Sequence, residues 1–119
     1  MAAPNIVNVT TINGNTAVQQ VTTSATAIVS NAAASGKIYK INAIVVSNVD
    51  AANAALLTVD LYRSSTAYRL IYNLSIGINT AYTPIDKSLC LYLLEGDSIR
   101  LTASVNSRLE AVATWEEIS

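Results

Sequence analysis

A chain of 119 residues suits one domain, large enough to bury a core and small enough for partners to add substantially to its stability. Only 13% of its residues are charged, against about 25% in an ordinary soluble protein, while 51% are hydrophobic, so its surface is either solvated by uncharged groups or covered by other subunits. A net charge of −1 gives no general attraction to nucleic acid, and the lack of any histidine removes the commonest neutral-pH general base and the imidazole metal ligand.

Residues 1–36 carry none of the seven basic and eight acidic side chains; the first charge is Lys37. Within this neutral part, Ile6 to Ile12, Thr16 to Val21 and Ala25 to Ser30 have strand-like composition. Asn13-Gly14-Asn15 and Thr22-Thr23-Ser24 separate them, and Asn13-Gly14 is a hairpin signal. Two readings follow for residues 1–36: the first strands of the same domain, or an extended arm that pairs with a neighbour's sheet through backbone hydrogen bonds. Residues 37–119 then form the body of the domain.

From Lys37 onward the strand pattern is regular. Ile38 to Ser47, Leu56 to Arg63, Tyr68 to Leu74 and Leu89 to Leu93 are each close to normal strand length. Alternation places Leu57, Val59 and Leu61 on one face and Thr58, Asp60 and Tyr62 on the other, so the first set meets the core. Tyr68, Leu70, Tyr72, Leu74 and Ile76 share a face by the same count, and Ser64-Ser65-Thr66 makes a short hairpin connection before them. Ala51 to Ala55 fits either a helical turn or a loop. Glu95-Gly96-Asp97 reads as a turn, Ser98 to Val105 as an alternating strand, Asn106-Ser107-Arg108 as a second turn, and Leu109, Ala111, Ala113 and Trp115 as the inward face of the last strand. Seven or eight short antiparallel strands with turn-length gaps and no sustained 3.6-residue stripe predict an all-β, single-domain β-sandwich.

The run from Leu94 through Glu95-Gly96-Asp97-Ser98-Ile99-Arg100-Leu101-Thr102-Ala103 to Ser104, followed by Leu109-Glu110 and the Glu117-Ile118-Ser119 ending, resembles small virion structural proteins of tailed bacteriophages. Ile41 to Asp50 resembles a second recurring segment of those proteins, and together the likeness spans residues 37–119. It implies a particle component, either a capsid decoration (cement) protein or a part of a neck, tail or baseplate. It further implies a homo-oligomer, with a trimer as the expected form, a major capsid protein or other virion subunit as partner, and residence in the virion after synthesis in the bacterial host cytoplasm.

The residues themselves point away from catalysis. Neither a Gly-x-Ser-x-Gly elbow nor a Ser-x-x-Lys pattern activates a serine, and the four glycines form no phosphate loop. Cys90, the single thiol, sits between Leu89 and Leu91 and reads as a buried small hydrophobe with no intrachain disulfide partner. Glu95 with Asp97, Asp50 near Asn48 and Asn53, and Glu116 with Glu117 are the carboxylate groupings to weigh as calcium ligands, though none completes a metal loop. The last pair falls on opposite faces of a strand.

No run approaches the roughly 20 apolar residues of a membrane-spanning helix, the longest being Leu89 to Leu94, and Met1-Ala2-Ala3-Pro4-Asn5 does not read as a secretory signal. No membrane, nucleic acid or cofactor is expected as a partner. The mean hydropathy of +0.37 favours subunit contacts, for which Ile6, Val7, Val9, Ile12, Tyr62 and Tyr82 are the candidate residues. Tyr62, Tyr82 and Arg63 also raise an alternative, a receptor- or glycan-binding surface. Trp115 is expected in the core.

Overall fold

A computed structural model of the chain describes residues 7, 8, 10–86, 88, 89 and 91–119. Within them the fold is all-β: β1 (Ile12–Val21), β2 (Thr26–Ser30), β3 (Ile38–Asn48), β4 (Ala55–Arg63), β5 (Thr66–Ile76), β6 (Ala81–Ile85), β7 (Leu91–Leu93), β8 (Ser98–Ala103) and β9 (Leu109–Ile118). The first sheet runs β1-β9-β3-β6, with β7 pairing the other end of β3, and the second runs β2-β8-β4-β5. Every pairing is antiparallel. The two sheets close on a shared core that includes Ile41, Ile44 and Val46 of β3, Leu57 and Val59 of β4, Ile99 and Leu101 of β8, and Leu109, Ala111 and Ala113 of β9.

Alternation explains which residues reach that core. Leu57, Val59 and Leu61 point inward as their spacing requires, and so do Leu109, Ala111 and Ala113. Trp115 continues the inward row at the end of the sandwich, half-buried and stacked on Tyr39 with ring centroids 6.3 Å apart. The Ser64-Ser65 hairpin is present, with φ of 51° and 61° between the paired Arg63 and Thr66, the left-handed values of a type I′ turn. Ala51 to Ala54 form a loop.

Several expectations change. Asn13-Gly14 is no hairpin: both residues lie inside β1, whose ten residues pair without interruption along β9 from Ile12↔Ile118 to Val21↔Leu109. A long-range partner therefore overrides the local turn propensity. Val7, Asn8, Thr10 and Thr11 belong to no strand, and Ile6 and Val9, like Cys90, lie outside the described residues. Tyr68, Leu70, Tyr72, Leu74 and Ile76 do not share a face. Two bulges in β5 shift its phase, so that Ile71 rather than Leu70 or Tyr72 faces Val59 and packs on the core. β6 is an additional strand; it contains Pro84 and lies at a sheet edge, where a residue without N–H is tolerated. β8 ends at Ala103, two residues before Val105.

Two buried asparagines tie the loops to the sheets. Asn48 donates to the carbonyls of Asn53 and Ile76 at 3.0 Å each, and its own carbonyl accepts from the Asp50 N–H at 2.9 Å. Asn31 donates to Lys37 and Leu93 carbonyls and accepts from the Ser35 hydroxyl. Each side chain thus satisfies backbone groups that no ladder reaches.

Candidate assembly surface

The stretch from Leu94 to Asp97 is a turn that exposes Leu94 and Gly96 and buries Asp97. The Asp97 N–H donates to the Leu94 carbonyl at 3.0 Å, and Gly96 has a φ of 87°, which position i+2 of a type II turn requires. Only 2% of the Asp97 side chain is exposed, and it accepts from Arg63 Nε, Arg63 Nη2 and the Leu94 N–H. Burial alone would raise this carboxyl, but the Arg63 guanidinium and the Leu94 amide outweigh it and hold it below the usual carboxylate range. Glu95 caps the Gly36 N–H.

Asp50 and Glu117 among the other candidate calcium ligands are likewise engaged. Asp50 accepts from the Ala52 and Asn53 amides, which lower its pKa, and pairs with Arg108. Glu116 and Glu117 point to opposite faces, the latter meeting Lys37 and the Trp115 indole N–H. Among the described residues no three potential ligands converge as a metal site.

The outer face of the first sheet has a neutral band between the row of Glu110 and the row of Glu116 and Lys40. In-register rows cross β1, β9 and β3: Val18–Val112–Val45, Thr16–Thr114–Ala43, the charged Gly14–Glu116–Lys40, and Ile12–Ile118–Ile38, in which Ile12 is exposed while Ile118 and Ile38 are buried. Val18 is 77% exposed and Val112 43%, and a shallow depression of about 340 Å3 runs between Val18, Gln20, Glu110 and Val112. The exposed Val18 and Val112, with the half-buried Val45 beside them, offer an apolar row with Glu110 at its margin, which suits contact with another subunit.

The outer face of the second sheet is different in kind. Asp60 lies on the face opposite Leu57, Val59 and Leu61, as alternation places it, yet it is 1% exposed, because Arg100 of β8 and Arg69 of β5 flank it in register. Arg69 bonds one carboxylate oxygen at 2.8 Å and lies over Tyr72, while Arg100 sits 4.0 Å over the Tyr62 ring. These stacked guanidiniums stiffen the face and shield the buried charge.

Of the candidate contact residues, Val7 and Ile12 are exposed near the start of β1, at 89% and 53%. Tyr82 is exposed on β6 of the first sheet, whereas Tyr62 lies half-buried on the second, so the structure does not bring the two tyrosines together. Sequence reasoning missed Val18, Val112 and Val45. Their alternation was visible, but their alignment across three strands depends on a register that only the fold supplies.

The chain matches no protein-family model and no curated protein. Among solved structures it is similar to a chain from "Bacillus endospore appendages form a novel family of disulfide-linked pili", with a TM-score of 0.54 at 9% identity, covering 92% of this chain and 87% of that one. At that identity the likeness is one of fold, a sandwich shared over nearly the full length.

Proposed function

We propose that this protein is a non-enzymatic structural subunit that acts by binding other subunits of a particle, most specifically a tailed-phage capsid decoration protein that reinforces the major capsid shell. The observation that carries the structural reading is the outer face of the first sheet, where Val18 and Val112 lie exposed beside the neutral Thr16–Thr114 pair on a cross-braced sandwich. Such a block resists deformation and gains free energy by covering that face. The phage assignment draws on the sequence resemblance over residues 37–119, whose Leu94 to Asp97 portion is the turn that locks β7 to β8. Adding the purified protein to shells that lack it tests the reading: saturable, stoichiometric binding that raises the shell's disruption temperature is expected, and no binding to any shell intermediate counts against it.

A second reading, a repeating subunit of a fibre or tail, is favoured by the likeness in fold to a pilus-associated chain. Electron microscopy separates the two, since decoration requires a shell and a fibre subunit polymerises or joins a tail. A glycan-binding module lacks an assembled Tyr62–Tyr82 surface to support it.

A further inference from the structure

We propose that the open edge of β1 pairs antiparallel with β1 of a second copy of this chain about a two-fold axis at Thr16, joining the first sheets of two protomers into one. The other outer edges are short or irregular: β2 has five residues and a register shift, β5 has two bulges, β6 has five residues, a register shift and Pro84, and β7 has three residues. β1 alone is long, unbroken in register and free of charge and proline.

The hydrogen-bond phase of β1 follows from its neighbour. Thr11 and Ser119 exchange both N–H···O bonds at 2.9 Å, so alternation assigns Asn13, Asn15, Ala17, Gln19 and Val21 to β9. The N–H and C=O groups of Ile12, Gly14, Thr16, Val18 and Gln20 therefore point to the open edge, and all five residues are exposed.

Among the described residues no hydrogen bond to these groups is made by the second sheet; from β1 the side chain of Gln19 donates through Nε2 to the Ala27 carbonyl. These five positions are self-complementary in one register. With Thr16 opposite its copy, Val18 faces the partner's Gly14 and Ile12 faces the partner's Gln20. Val18 is 77% exposed, and a Cβ on Gly14 would meet nothing within 4 Å, so the valine fills space the glycine leaves. Thr16 meets threonine, a favourable cross-strand pair, and no like charges oppose one another along the strand.

This deepens the reading of an assembling subunit and rests on it; it replaces the trimer implied by resemblance with a two-fold unit. The test combines sedimentation of the full chain with cysteine cross-linking in a Cys90→Ser background. A dimer is expected, and Thr16→Lys, which sets two ammonium groups opposite each other, weakens it about 100-fold while leaving the far-UV circular dichroism unchanged. Under oxidation Thr16→Cys gives a covalent dimer, because opposed hydrogen-bonded residues lie about 5.5 Å apart between Cα atoms, within disulfide range. Gln20→Cys does not, since its copy lies far along the seam. A wild-type monomer, equal cross-linking at both positions, or a dimer that forms only after residues 1–11 are deleted would overturn the pairing. A monomer that still binds particles would leave the proposed function standing.

Discussion

Removing either partner of the Arg63–Asp97 pair destabilises the fold, and the two losses are not additive. Asp97 accepts three hydrogen bonds at 2% exposure, whereas Arg63 is 43% exposed. In Asp97→Ala the guanidinium regains water, so its two bonds cost only about 1–1.5 kcal/mol, and the orphaned Leu94 N–H adds about 1–2 kcal/mol. The total is about 3 kcal/mol. Arg63→Ala leaves a buried carboxylate with a single amide donor and costs a similar amount, about 3 kcal/mol.

The double variant should lose little more than either single one, giving a coupling of about 2–3 kcal/mol. Urea unfolding followed by the fluorescence of Trp115, the single tryptophan, measures all four proteins. An Asp97→Ala loss below about 1 kcal/mol, or strict additivity, would refute the view that this pair anchors the β7–β8 turn.

Asn48→Ala should cost about 3 kcal/mol in the same assay, since it strands the Asn53 and Ile76 carbonyls and the Asp50 amide. Ser64→Asn with Ser65→Gly should stabilise by about 1 kcal/mol, because both positions hold left-handed φ and the replacements relieve it; an unchanged urea midpoint would argue against the type I′ geometry. Asp97 has a lowered pKa in the fold, so its contribution is present above the ordinary carboxylate range near about 4 and is lost as pH falls through the folded value. Asp97→Asn should therefore flatten the pH dependence of the urea midpoint in that acidic window.

The all-β sandwich was legible because inward alternation in β4 and β9 survives unbroken, and because Ser64-Ser65 and Glu95-Gly96-Asp97 announce their turns. What stayed hidden depended on partners distant in the chain. Asn13-Gly14 carries strong local turn chemistry, yet ten ladder positions along β9 hold it in a strand. The face of β5 could not be counted from its sequence, since bulges near Leu70 and Asn73 shift its phase against β4. Of the candidate contact residues Ile12 and Tyr82 are exposed, while Val18, Val112 and Val45 become a row only through register. Asp60 shows the converse, an acidic residue on an outward face that two in-register arginines bury.

The claim that this protein exists to contact other subunits is tested most directly by its copy number in gradient-purified particles made with the protein present, measured by quantitative mass spectrometry against the major shell subunit. The account predicts a fixed stoichiometry that persists through repeated purification and falls when the exposed row is broken by Val18→Asp with Val112→Asp. A trace amount that washes away, alongside a folded protein free in the lysate, would contradict it.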